Sequence, residues 1–164
     1  FFFDDFEGDD RGWTTVTGAG HNAQTDWDVG PPSLVGPSGA FSGTKCYGTN
    51  LDDYYYANAD IGLQSPVIDL TGAAAARLTF AHYYDIDETG DYAEIYVRDA
   101  SGDVIAGLES PIASYTSYVE DWVETLVNLP PEALGQPVRI EFRMMSDSSL
   151  EFTGWYIDDV KVGG

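Results

Sequence analysis

The last stretch of the chain, Gly154 to Val162, most constrains the fold. Its sequence, G-W-Y-I-D-D-V-K-V, has the two-residue period of a β-strand. That period predicts a core face with Tyr156, Asp158, Val160 and Val162, and an outer face with Trp155, Ile157, Asp159 and Lys161. A buried ionised carboxylate is costly unless it is paired or bound to a metal. Asp158 therefore requires a positive partner.

The sequence offers Asp158 a metal ion rather than a basic residue. No Lys or Arg lies on its predicted face, and the acid-rich first strand, Asp4 to Asp10, supplies more carboxylates. Seven basic against 28 acidic residues give a formal charge of −21, which attracts divalent cations and repels nucleic acid and anionic membranes. Calcium takes about six to eight oxygen ligands. We therefore expect a β-domain whose two ends are joined by calcium.

The rest of the chain predicts an all-β fold. Short alternating segments are separated by turn-rich loops, and the best helical candidate, 131–135, is one turn at most. The predicted strands are 13–17, 63–70 with a break at Pro66, 77–84, 92–98, 122–129 and 138–145. Residues 18–60 are predicted to be irregular but ordered. The pattern is typical of one antiparallel two-sheet β-sandwich (jelly roll) over residues 1–164.

Alternation also assigns individual residues to the core or to water. In 138–145 it predicts Ile140 and Phe142 inside, and it predicts Arg139, Glu141 and Arg143 outside. His82 shares a face with Leu78 and Phe80, so it is predicted to be a core histidine.

Ordered motifs along the chain resemble a group of secreted bacterial jelly-roll modules. The motifs are D-D-F-E (4–7), G-W (12–13), W (27), G-x-P (30–32), S-G (42–43), G-T-N-L (48–51), L-x-S-P-x-I-D-L (63–70), F-R-x-x-S-D (142–147) and G-W-Y-I-D-D-V (154–160). The set is similar to the MAM-like accessory domain found beside immune inhibitor A-type metallopeptidases. A more distant similarity is to carbohydrate-binding modules of families 4, 9 and 22.

This resemblance implies a structural calcium that joins the first and last strands. It implies Glu7 and Asp158 as side-chain ligands, with carbonyls from the opening strand at Asp5 and from the segment after Ser42-Gly43, near Lys45. It also implies a secreted or cell-surface location within a larger protein. The implied role is a non-catalytic binding or accessory module for a glycan or protein ligand.

Two further clusters are candidate sites. Asp85, Asp87 and Asp91 lie in a loop that begins like an EF-hand, with Asp53 as a further acid, but strands flank the loop and its final position is not acidic. The alternatives are a second cation site and a solvated acidic loop. The run Tyr54, Tyr55 and Tyr56 is either a sugar-stacking platform or packing on the end of the sandwich.

The sequence contains none of the common catalytic motifs, so we predict that the domain is not an enzyme. There is no H-E-x-x-H, G-x-S-x-G or G-x-x-x-x-G-K, and the lone Cys46 is expected to be buried and apolar. No run of about 18 apolar residues predicts a membrane span. The alternative to a binding module is a structural subunit, whose strand Phe1, Phe2 and Phe3 pairs with the next copy by strand addition.

Overall fold

The computed structural model of the protein describes residues 1–8 and 12–164 and contains two antiparallel β-sheets. The predicted jelly-roll class is confirmed. The strands are β1 Phe2–Asp4, β2 Thr14–Thr17, β3 Trp27–Gly30, β4 Cys46–Thr49, β5 Asp60–Gln64, β6 Ile68–Asp69, β7 Arg77–Ile86, β8 Tyr92–Asp99, β9 Ala113–Tyr115, β10 Ser117–Tyr118, β11 Val123–Asn128, β12 Pro137–Met145 and β13 Gly154–Gly163. One 3-10 turn covers Pro131–Ala133.

The first and last strands are neighbours, as predicted. β1 pairs antiparallel with β13, with Phe2 opposite Val162 and Asp4 opposite Val160. The first sheet has the order β10-β7-β13-β4-β3, with β1 beside β13 and β11 beside β7. The second has the order β2-β5-β12-β8-β9, with β6 beside β12. In the described part of the chain, no helix is long and apolar enough to cross a membrane.

Four short strands were missed by the sequence prediction, and the opening strand is shorter than predicted. β3 and β4 lie inside the stretch predicted to be irregular, and they pair with each other. All four residues of β4 are buried, so its sequence has no alternation to detect. β9 and β10 have three and two residues. β1 ends at Asp4, and Phe6 takes a positive φ of 62° in the turn that follows. The predicted acids Asp9 and Asp10 lie outside the described residues.

A β-bulge in β13 corrects the predicted faces of the last strand. The register with β7 shifts by one residue between Asp158 and Lys161, and Asp159 takes a positive φ of 47°. Four residues of β13 therefore enter the core between the sheets. They are Trp155 and Ile157 before the bulge, and Val160 and Val162 after it. Tyr156 lies on the other face, in a small cluster with residues of the first sheet and its covering loop. Asp158 does not share a face with Val160, but it is fully buried as predicted.

His82 is a core histidine, as predicted. It is buried, and Trp155 Nε1 donates a hydrogen bond to its Nδ1 at 3.0 Å. An indole nitrogen is only a donor, so Nδ1 is the acceptor and Nε2 carries the proton that faces Thr125 Oγ1 at 3.1 Å. Burial lowers the pKa of His82 to about 3. A neutral histidine with both nitrogens bonded stabilises the core.

Glu141 contradicts the prediction that the outer residues of β12 face water. The alternation is correct, but the Glu141 side chain is only 1% exposed. Its Oε2 accepts from Arg98 at 2.9 Å and from Arg143 at 3.2 Å, while Oε1 accepts from Gln64 Nε2 at 2.8 Å. Burial raises its pKa, but the hydrogen bonds from Arg98 and Gln64 and the two positive charges outweigh burial, so the pKa is lowered. The outer face of this sheet carries a buried polar network.

Glu141→Ala is therefore expected to lower the free energy of unfolding by about 2 kcal/mol, because it leaves buried donors without their acceptor. The loss should be present above pH 4.5, the ordinary pKa of the group, and should fade as acid protonates the wild-type carboxylate. Urea unfolding at several pH values measures it. The exposed Glu124 on β11 is the matched control, with an expected change within about 0.5 kcal/mol. Equal losses at the two positions would contradict the network.

Candidate functional site

The turn after β1 brings Glu7 to the segment 42–45. Asp4 is buried and shapes the turn, because its Oδ1 accepts from Phe6 N at 2.8 Å and its Oδ2 from Trp13 Nε1 at 2.9 Å. Glu7 Oε1 then accepts from Thr44 N at 2.9 Å, and Oε2 accepts from Lys45 N at 2.8 Å. These backbone hydrogen bonds lower the pKa of Glu7. The carboxylate is ionised and held in place.

Asp158 reaches the same segment from the β13 bulge. Its Oδ2 accepts from Ser42 N at 3.1 Å, and its Oδ1 accepts from Asp159 N at 2.8 Å. Burial raises the pKa of Asp158 to about 7 against these two hydrogen bonds, and the charge of Asp159 adds to the increase. A fully buried carboxylate is therefore poorly compensated by the protein alone. A positive charge nearby would favour its ionised form.

Both carboxylates accept hydrogen bonds from the backbone of residues 42–45, and both influence the thiol of Cys46, which follows that segment. Burial, followed by the negative charges of Asp158 and Glu7, raises the pKa of the Cys46 thiol to about 12. The thiol is buried and unreactive, as expected. Gly43, with a φ of 58°, lets the covering loop approach, because an added Cβ would lie 2.3 Å from Glu7 Cδ. The loop is shaped around the carboxylate.

These residues fit a hard, oxygen-binding cation. A carboxylate has about four lone-pair sites, and the hydrogen bonds to Glu7 and Asp158 leave some of them free. Glu7 and Asp158 would hold the ion, which would supply the missing counter-charge. Asp5 supports the turn, since its Oδ1 accepts from Glu7 N at 3.2 Å. Lys45 contributes its N–H to Glu7 and a charge that lowers the pKa of that residue.

The second set of predicted acids is divided by the structure. Asp87 and Asp91 lie together with Asp147, whose carboxylate follows β12. Asp85 is elsewhere and accepts from Thr153 Oγ1 at 3.3 Å, and Asp53 accepts from a tyrosine hydroxyl. Asp147 was missed as a site residue, although it ends the F-R-x-x-S-D motif, because no spacing rule relates it to a loop more than 50 residues earlier.

The three tyrosines at 54–56 do not form one surface. Tyr55 is fully buried, and its hydroxyl donates to Asp91 Oδ2 at 2.6 Å and accepts from Asp87 N at 3.0 Å. Tyr54 is exposed, and the Tyr56 hydroxyl donates to Asp53. Tyr55 therefore has the packing role that was the alternative to sugar stacking.

An apolar cleft lies beside the β7–β8 turn. It has a volume of about 430 Å³, and its apolar lining includes Tyr118, Leu150 and Phe152. These side chains are 64%, 60% and 36% exposed. Carboxylates of Asp85 and Glu88 lie on the same cleft. Sequence reasoning missed it because its aromatic residues are far apart in the sequence, Tyr118 in β10 and Phe152 in the connection from β12 to β13.

The fold and the joined acidic ends define a jelly-roll β-sandwich domain. No family model matches the chain. It is 32% identical over 158 residues to Bacillopeptidase F of Bacillus subtilis, covering 95% of this chain and 10% of that protein. It is 25% identical over 117 residues to Immune inhibitor A of Bacillus thuringiensis, covering 66% of this chain and 17% of that protein. The chain thus spans about a tenth and a sixth of these relatives.

Solved structures agree on the fold. The K1 cleaved adhesin domain of Lys-gingipain from Porphyromonas gingivalis superposes with a TM-score of 0.70 at 16% identity, covering 99% of this chain and 97% of that one. The CBM22-2 xylan-binding domain of Xyn10C from Paenibacillus barcinonensis superposes with a TM-score of 0.57 at 17% identity, covering 99% of this chain and 98% of that one. The resemblance to jelly-roll accessory domains of secreted bacterial proteins is confirmed.

Proposed function

We propose that this chain is a non-catalytic, calcium-stabilised binding module of a larger secreted or cell-surface protein. The relatives support this role, because the matching segment is a small part of each of them. The neighbours in fold are named as an adhesin domain and a xylan-binding domain. Calcium at Glu7 and Asp158 would hold the ends of the sandwich together and leave the loops free to bind.

The observation that carries the proposal is the exposed cleft of Tyr118, Leu150 and Phe152. Exposed apolar patches of this kind mark interaction sites. A tyrosine ring can stack on the apolar face of a sugar, while Asp85 and Glu88 accept hydrogen bonds from its hydroxyls. A glycan therefore fits the cleft best, and a protein segment is the second ligand class.

Tyr118→Ala is expected to weaken binding of a soluble polysaccharide about tenfold, because exposed aromatic anchors dominate such interfaces. Affinity electrophoresis with a panel of soluble polysaccharides, xylan included, measures the retardation. Tyr54→Ala is the matched control, since Tyr54 is an exposed tyrosine outside the cleft, and it should bind like the wild type. If no polysaccharide retards the wild type, or if Tyr54→Ala alone loses binding, the glycan cleft is wrong.

The structural-subunit alternative draws support from Phe1 and Phe3, which are 60% and 53% exposed. However, β1 already pairs with β13 of its own chain, and Phe1 N donates to Val162 O at 3.0 Å. Strand addition through Phe1 to Phe3 would have to use the other edge of β1. Sedimentation separates the alternatives, because only a structural subunit should assemble with concentration and lose assembly without residues 1 to 3.

A further inference from the structure

Three carboxylates from two separate loops meet at one end of the sandwich. Asp87 and Asp91 flank the β7–β8 turn, and Asp147 lies in the connection from β12 to β13. One oxygen from each lies within 4.8 Å of the others. Oxygens that share a calcium ion at about 2.3–2.6 Å are up to about 5 Å apart. The spacing therefore suits a shared ion.

One carboxylate oxygen in this cluster has nothing to bind. Asp87 is 4% exposed, and its Oδ2 is buried without a hydrogen-bond partner among the described residues. Its Oδ1 accepts from Thr89 N and Thr89 Oγ1. Within residues 1–8 and 12–164, no salt bridge includes Asp87, Asp91 or Asp147. A buried charged oxygen without a partner is costly, so it points to a ligand.

The surroundings hold the carboxylates together despite their like charges. The Tyr55 hydroxyl bonds Asp91, and Asp147 N donates to Asp91 Oδ1 at 2.8 Å. Thr116 Oγ1 donates to the main-chain carbonyls of Asp87 and Asp91. At Gly90, an added Cβ would lie 2.1 Å from Asp147 Oδ2, so only glycine leaves room for that carboxylate. These contacts build a site rather than a solvated acidic loop.

We propose that Asp87, Asp91 and Asp147 bind a second calcium ion, which fastens the β7–β8 turn to the β12–β13 connection. The cluster offers only oxygen ligands, and this excludes the nitrogen and sulfur sets that zinc prefers. Three carboxylates, one of which has a buried oxygen without a hydrogen-bond partner, are suited to binding a hard divalent cation. The site is independent of Glu7 and Asp158, because it shares no residue or loop with them.

Calcium titration of the metal-stripped protein by calorimetry tests the proposal. The wild type should bind two calcium ions per chain, and Asp147→Asn should bind one. Glu151→Gln is the matched control, because it removes one exposed charge from the same connection but lies outside the cluster, and it should bind two. Asp158→Asn should lose the other ion and keep this one, so the two sites fail separately.

A measurement on the unaltered protein covers the case in which Asp147→Asn does not fold. Gadolinium, a paramagnetic substitute for calcium, should broaden the amide NMR signals of Asp91 and Asp147 as well as those of Thr44 and Lys45. Broadening confined to Thr44 and Lys45 would overturn the second site. So would an Asp147→Asn protein that binds as many calcium ions, with the same affinity, as the wild type.

Discussion

Phe142→Ala is expected to lower the free energy of unfolding by about 3 to 5 kcal/mol. The ring is fully buried on β12, at the centre of the aromatic core between the two sheets. It lies edge-on to the rings of Phe80 and Trp155, with centroid distances of 5.4 Å and 5.6 Å, and its centroid is 6.3 Å from that of the Trp13 ring. Removal leaves a cavity whose walls come from both sheets and cannot close together easily.

Urea or guanidinium unfolding followed by tryptophan fluorescence measures this loss. Leu126→Ala on β11 is the matched control, because Leu126 is 51% exposed and its truncation should change stability by no more than about 0.5 kcal/mol. A small loss at Phe142, or losses of similar size at both positions, would contradict the register of β12.

Alternation was enough to predict most of this core. The long strands β7, β8 and β12 have a clear two-residue period, because one face of each packs between the sheets while the other lies outside. β3 and β4 could not be found in this way. β4 is buried on both faces. The Tyr156 ring packs directly on Gly48, where an added Cβ would lie 2.5 Å from the ring.

The face of Asp158 could not be predicted, because a bulge adds a residue that breaks the period of two. Asp158 is buried as predicted, but the cause of its burial is not the one that the alternation indicated. The loop of residues 42–45 covers the outer face at that point, and Ser42 N reaches the carboxylate. For Glu141 the predicted outward direction was right, but the predicted exposure was wrong. The side chains of Arg98 and Arg143 cover the carboxylate and pair with it.

Removal of the proposed calcium ion at Glu7 and Asp158 is expected to produce the second large effect. Binding stabilises a folded protein by RT ln(1 + [L]/Kd), which is about 2.7 kcal/mol at a hundredfold excess and about 4.1 kcal/mol at a thousandfold excess. Without the ion, the buried Asp158 carboxylate is compensated only by hydrogen bonds from Ser42 N and Asp159 N. Magnesium should restore less stability than calcium, because it requires a tighter octahedron and keeps its water.

The melting temperature with chelator and with calcium tests this most directly, measured for the wild type, for two single variants and for one double variant. The wild type should melt at a lower temperature with chelator and recover with calcium. Asp158→Asn should lose most of that dependence, and adding Asp147→Asn should remove the remainder. Asp159→Asn, with the same change in charge one residue away, should keep it. A melting temperature indifferent to chelator, or a dependence that survives Asp158→Asn but not Asp159→Asn, would contradict calcium at Glu7 and Asp158.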